Sequence, residues 1–196
     1  MTGRWTRYAG LLFLVVTLLA CKMLKGQKSY EGNVAGLTQL ATDLSNAKKS
    51  DAQDMGKALA LPDPTAYFSA TFGPDLGGQL ATEYASEAAK LPSVQAFFIL
   101  NKLKGRTQIL VEEHTTADDP NANGLQDAAM RKMTKPTVLY TVNVVEPGKT
   151  IGASLWSFAY VDGHFRYLGK LKATKPGASP LDELSKKDLQ DALEGK

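Results

Sequence analysis

Residues 156–167 read WSFAYVDGHFRY, and this stretch indicates the fold more clearly than any other part of the chain. Aromatic residues alternate with other residues on both sides of Asp162-Gly163. This dipeptide favours a two-residue β-hairpin turn, because both central positions take positive φ. The turn would fix the register of the two strands. The predicted cross-strand pairs are Val161 with His164, Tyr160 with Phe165, Phe158 with Tyr167, and Trp156 with Gly169.

That register collects aromatic side chains on one face of the predicted sheet. Its members are Trp156, Phe158, Tyr160, Phe165 and Tyr167. We expect a packed core here, with a partly open ligand cavity as the alternative, because the same apolar side chains line pockets and fill cores. The opposite face, which holds Ser157, His164, Arg166 and Lys170, is expected to be in contact with water.

In the rest of residues 34–171, the spacing of the apolar residues changes once, at Gly105. Before Gly105, apolar residues recur at helical spacing, and Pro64, Pro74 and Pro92 are each placed where a helix can begin. After Gly105 the residues alternate at 107–111, 138–144 and 151–161, which is typical of strands. Helices followed by a curled four-stranded antiparallel sheet define an α+β domain.

The element order resembles the nuclear transport factor two-like superfamily. The resemblance depends on Phe158 to Tyr167 and on Pro64 to Phe68 with Gly73 and Tyr84. It implies a cystatin-like roll, as in an exported bacterial family. Because that superfamily includes isomerases and dehydratases, the resemblance also implies a site for a carboxylate base near a tyrosine. Its motifs are structural, and fold analogy does not supply a function.

The first 21 residues read MTGRWTRYAGLLFLVVTLLAC, with two arginines, an apolar run and the only cysteine of the chain. A basic start followed by a short apolar segment is typical of a signal peptide. Leu18 to Cys21 resembles the bacterial lipobox, which implies cleavage before Cys21 and lipid attachment to its sulfur.

An uncleaved membrane helix over residues 5–24 is the alternative, if Arg7 and Lys22 reach opposite interfaces. Both hypotheses place the remaining chain outside the cytoplasm, on the periplasmic side of a membrane. The predicted segments are 1–21 as signal or anchor, 22–33 as tether, 34–171 as domain, and 172–196 as linker and amphipathic C-terminal helix.

Composition excludes several classes of function. The exported part would carry 21 basic and 20 acidic residues after loss of Arg4 and Arg7, so no basic stripe for nucleic acid is expected. A single cysteine permits neither an internal disulfide nor a cysteine-based zinc site. The sequence predicts no cofactor and contains no hydrolase or phosphate-binding motif.

Two short segments could carry chemistry. Asp119, Asn121 and Asn123 resemble the start of a calcium loop, but Met130 stands where its bidentate glutamate belongs, so we expect a loop that caps a helix over 125–133.

Strand parity places Glu113 on the face of Ile109 and Val111. If buried there, it could act as a base, with a tyrosine as hydrogen-bond donor; the alternative is a solvated strand end. The donor candidates are Tyr140, Tyr160 and Tyr167.

The sequence therefore predicts a membrane-anchored extracytoplasmic binding or scaffolding protein without evident catalysis. An accessory subunit of a membrane complex is one alternative. A small-molecule binder or isomerase-like enzyme that uses the aromatic face with Glu113 is another.

Overall fold

The computed structural model describes residues 28–174 of the 196-residue chain. The predicted signal or anchor with Cys21, residues 22–27 of the tether and the C-terminal amphipathic helix lie outside the described residues. Within the described part, the first contacts with the domain come from Lys28 and Tyr30, before the predicted domain start at Val34.

Six α-helices and four strands make up the described part. The helices are α1 (Val34–Asn46), α2 (Lys49–Ala58), α3 (Pro64–Phe72), α4 (Pro74–Ala88), α5 (Gln95–Lys102) and α6 (Gly124–Lys132). The strands are β1 (Gln108–His114), β2 (Leu139–Val145), β3 (Gly152–Val161) and β4 (His164–Tyr167). Two 3-10 helices span Leu91–Ser93 and Lys172–Thr174. The predicted α+β class is confirmed.

Helix starts follow the local signals closely. The Asp63 side chain accepts a hydrogen bond from the Ala66 N–H at 2.9 Å, and Pro64 occupies the first helical position, where its missing N–H costs nothing. Pro74 begins α4 in the same way. The prediction that Pro92 restarts an α-helix is wrong in detail, since Pro92 lies in a 3-10 turn and α5 begins at Gln95.

The sheet is antiparallel throughout, in the order β1-β2-β3-β4. Asp162 and Gly163 have φ values of 50° and 79°, as the two-residue turn requires. Three of the predicted hairpin pairs are confirmed. They are Val161 with His164, Tyr160 with Phe165, and Phe158 with Tyr167.

The fourth predicted pair, Trp156 with Gly169, is wrong because a β-bulge interrupts β3. Ser157 has a φ of 62°, and Leu155 pairs with Val142 although Phe158 pairs with Tyr140. The additional residue removes Trp156 from the aromatic row. Its ring lies 5.9 Å from the Lys170 Nζ instead, and β4 ends at Tyr167.

Helices cover both faces of the sheet, so the expectation of a hydrated second face is also wrong. One face carries Tyr140, Phe158 and Phe165 against α1, α2 and α5. The other carries Leu139 and Ala159, both fully buried, against α3, α4 and α6. Every residue of β2 is consequently buried.

Two residues expected in water on that second face are withdrawn from it. Ser157 is 1% exposed, and its hydroxyl has no hydrogen-bond partner among the described residues. The Arg166 guanidinium donates to the backbone carbonyls of Ala58 and Ala60 at the end of α2. Lys170 alone of the predicted set is exposed, while His164 is half-buried.

Between residues 28 and 174, no helix has both the length and the apolar character needed to cross a bilayer.

Candidate binding groove

A groove of about 820 Å³ opens between α1, α2 and the β3–β4 hairpin. Its floor is apolar and comes from all three elements. The floor residues are Leu40, Met55, Leu59 and Phe165. Three carboxylates stand around this floor, Asp43 on α1 and Asp51 and Asp54 on α2. The volume lies in the range of small-molecule sites, and the lining combines apolar surface with a few charged groups, as such sites do.

The N-terminal end of the described chain closes one side of the groove. Lys28 Nζ lies 2.6 Å from Asp43 Oδ2, and the Tyr30 hydroxyl donates to the same oxygen at 2.9 Å. The hydrogen bond from Lys28, followed by that from Tyr30, holds the pKa of Asp43 below its usual value. Burial and the Asp43 carboxylate raise the pKa of Tyr30. Asp43 therefore stays ionised at neutral pH.

The other two carboxylates are less restrained. Asp51 and Asp54 are exposed and three residues apart on α2, so both side chains lie on one face of the helix. Asp54 contacts Lys57 at 2.9 Å, an exposed pair of small energetic value. Among the described residues, the lining holds three carboxylates, with Asp43, and one lysine, Lys28, which pairs with Asp43.

The aromatic face, for which an open ligand cavity was the alternative to a packed core, is filled. Phe158, Phe165 and Tyr167 are each less than 9% exposed and belong to the packed cluster under α1 and α2. Edge-to-face contacts at 5.0–5.1 Å join Phe158 to Tyr167 and Tyr160 to Phe165. Phe165 alone among the aromatic candidates also borders the groove.

Glu113 lies on the predicted face, opposite Tyr140, but its side chain is exposed. Tyr140 is buried, and its hydroxyl donates to the Gly32 carbonyl at 3.1 Å. Burial, with the Glu113 charge as a smaller cause, raises the pKa of Tyr140 to about 12. The structure thus brings Glu113 and Tyr140 together, but not in the buried setting that the base hypothesis needs. Tyr160 donates its hydroxyl to the Tyr30 carbonyl.

A buried polar chain lies beside this strand end, on the other sheet face. His114 is completely buried, with Nδ1 at 2.9 Å from Asp119 Oδ2 and Nε2 at 3.0 Å from Thr141 Oγ1. Gln126 Nε2 donates to the same hydroxyl at 2.9 Å. Since Asp119 only accepts, Nδ1 donates to it; with a neutral ring, Nε2 accepts from the Thr141 hydroxyl, which in turn accepts from Gln126. Every member of the chain is satisfied.

The order carboxylate, imidazole, hydroxyl matches the order in hydrolase triads, yet the setting differs. A nucleophile must reach substrate, whereas Thr141 is 4% exposed beneath α6. Asp119, His114 and Thr141 therefore join β1, β2 and α6 as a structural unit.

The predicted calcium loop caps a helix, as expected. Asn123 Oδ1 accepts from the N–H groups of Leu125 and Gln126. The Gln126 side-chain oxygen accepts from the Asn123 N–H, which completes a capping box. Asp119 Oδ1 accepts from the Asn121 N–H at 2.9 Å. The side-chain oxygens of Asp119 and Asn123 thus have protein donors. Across residues 28–174, no three His, Cys, Asp or Glu side chains gather in a metal-binding arrangement.

Sequence reasoning missed the groove and its three carboxylates. The spacing of Asp51 and Asp54 could have indicated an acidic helix face. Nothing local links that face to Asp43 or to Phe165, which come from other elements.

No protein-family model, curated protein or solved structure matches the chain.

Proposed function

We propose that this protein is a membrane-tethered, extracytoplasmic binding module, and that the acidic groove holds its ligand. The leader supports the first part. An apolar run ends at the single cysteine and is preceded by two arginines, which favours export of everything downstream. The finer prediction of a cystatin-like roll belongs to the same proposal and depends on the resemblance alone.

The groove chemistry favours a ligand with a cationic group on an apolar body. Half-buried Ala47, Met55 and Ala58 offer the apolar contact area, and Asp51 and Asp54 offer exposed negative charge at the rim. Apolar contact supplies affinity roughly in proportion to buried area, and charge adds specificity and faster association. The single observation that carries the proposal is that apolar surface and exposed carboxylates line the same cavity.

A titration of the full chain in non-ionic detergent with the peptide Leu-Lys-Lys-Leu-Lys tests the groove. We expect saturable binding that weakens with salt and falls about tenfold in the double variant Asp51→Asn, Asp54→Asn, since each close charge pair contributes about 0.2–1 kcal/mol. The matched control is Glu112→Gln with Asp118→Asn, which removes two acidic charges elsewhere. Equal loss in both variants, or equal binding of Leu-Glu-Glu-Leu-Glu, would contradict the assignment.

Cys21→Ser tests the form of the tether. If Cys21 carries lipid, the variant is released or misprocessed; if an uncleaved helix anchors the chain, retention in the membrane fraction is unchanged. Fractionation of cells that express each form distinguishes the two outcomes.

A further inference from the structure

Most of the large apolar side chains that the described part leaves exposed lie at one end of the sheet. Ile99 is 48% exposed, Leu100 58%, Leu103 80% and Ile151 88%. The first three lie at the end of α5, and Ile151 directly precedes β3.

Sheet register brings these two segments to the same end. Gln108, at the start of β1, pairs with Val145, which pairs with Gly152. The Gly148 N–H also donates to Gln108 Oε1 at 3.2 Å, so the β2–β3 turn contacts the chain that leaves α5. Neighbouring strands are about 4.8 Å apart, so the Gln108 and Gly152 backbones are separated by roughly 10 Å across the sheet, and both apolar segments lead into this end. We call residues 99–107 and 146–151 the basic tip.

The basic tip carries a net positive charge. It contains four basic residues, Lys102, Lys104, Arg106 and Lys149, and one acidic residue, Glu146. Lys102, Lys104 and Lys149 are exposed, whereas Arg106 is half-buried and donates to the Asn101 side chain at 3.0 Å. Exposed large apolar side chains and three exposed lysines therefore occur together in the basic tip.

We infer that the basic tip docks on a lipid bilayer with anionic headgroups. Leucine and isoleucine among lysines suit the interfacial region, where apolar groups enter the acyl boundary and lysines meet phosphate. Protein partners are a poorer match, because lysine is depleted from protein–protein interfaces.

The inference rests on the proposed tether, and the tether is long enough for it. Six residues, 22–27, separate Cys21 from Lys28, the first residue held by the domain, and can extend to about 20 Å. Tyr30 lies at the hairpin end of the sheet, and a seven-residue strand such as β2 is about 23 Å long. A domain lying on its side can therefore be tethered at one end and touch the bilayer at the other.

Site-specific quenching tests the docking. The full chain carrying Leu103→Cys, Ile151→Cys or, as a control, Ser86→Cys on α4 is labelled with bimane and reconstituted into vesicles that contain nitroxide-labelled lipid. The unsubstituted chain, treated identically, gives the contribution of Cys21. We expect quenching at positions 103 and 151 with phosphatidylglycerol present, little with phosphatidylcholine alone, and none at position 86.

Charge variants give the second readout, with the label at position 151. Lys102→Gln with Lys104→Gln should lower the docked-to-free ratio about 25-fold, since each lysine near an anionic surface contributes about a fivefold factor. Lys132→Gln with Lys135→Gln is the matched control and should leave the ratio unchanged.

The two possible failures are distinguishable. A chain that floats with the vesicles while the labels at 103 and 151 stay unquenched would overturn the docking and leave the tether intact. A chain that does not float at all would overturn the tether. Positions 103 and 151 are both exposed, so neither substitution disturbs packing.

Discussion

His114 ends β1, where an exposed side chain would be expected, yet it is completely buried. Strand parity correctly separates it from Glu113, but parity alone does not say which face a helix covers. Its partner Asp119 is only five residues away, whereas Thr141 is 27 residues away. In the sequence His114 directly follows Glu112 and Glu113, and nothing local identifies the distant hydroxyl that completes the network.

Substitution of His114 should be costly. His114→Ala leaves a cavity and removes partners from Thr141 and Asp119, so we expect a loss of about 3 kcal/mol in the free energy of unfolding. Glu113→Ala, an exposed neighbour on the same strand, should change it by less than about 0.5 kcal/mol. Urea unfolding of both variants measures the difference. Similar small values for the two would show that the buried network contributes little.

Asp119 should give the protein a specific acid sensitivity. The Asn121 N–H first, and His114 second, hold the pKa of Asp119 below its usual value of 3.8. A carboxyl group with a lowered folded-state pKa stabilises the fold above its unfolded-state value and loses that contribution as pH falls through the folded-state value.

The matching experiment compares the wild type with Asp119→Asn by chemical unfolding. We expect the wild type to be the more stable at pH 5, with the advantage shrinking as pH falls below about 4. An advantage that grows on acidification would contradict the assigned contacts.

At the scale of elements, the signals that proved accurate are local. Asp162-Gly163 fixes the hairpin, and Asp63-Pro64 fixes the start of α3, because in each case the turn or cap is complete within four residues. The bulge at Ser157 was missed because no glycine marks it, and its positive φ is imposed by pairing with β2.

Two adjacent glycines of α4 should respond in opposite ways to alanine. A Cβ at Gly77 would lie 2.5 Å from the Cα and N of Ser69 on α3, whereas a Cβ at Gly78 would meet nothing within 4 Å. We therefore expect Gly77→Ala to destabilise by about 1–3 kcal/mol through overpacking, and Gly78→Ala to stabilise by about 0.5–1 kcal/mol through helix propensity. Thermal unfolding of the two variants provides the comparison. Equal shifts in Tm would mean that α3 and α4 are not in close backbone contact.

At the scale of the whole molecule, the second helical layer is the feature that the sequence did not predict. Thr141 and Asn143 make one face of β2 look polar, although Leu139 and Val145 flank them and all four are buried. Leu139 and Val145, at the two ends of β2, were the residues in the sequence that indicated burial of this face. Tertiary contacts from α3, α4 and α6 decide the outcome, and no single segment contains that information.

No residue of the basic tip lines the groove, which fits a binding module that uses one surface for its ligand and another for the membrane. Both depend on residues from several elements, Asp43 with Phe165 in one case and Leu103 with Ile151 in the other. Both were therefore beyond a reading of the chain one segment at a time.

The intact mass of the full chain, expressed in a bacterium and recovered from separated membrane and soluble fractions, tests the proposed tether most directly. The proposal predicts a membrane species that lacks residues 1–20 and carries an acyl mass on Cys21. A membrane species with Met1 intact would favour the anchor. An unmodified chain with Met1 intact in the soluble fraction would contradict the account.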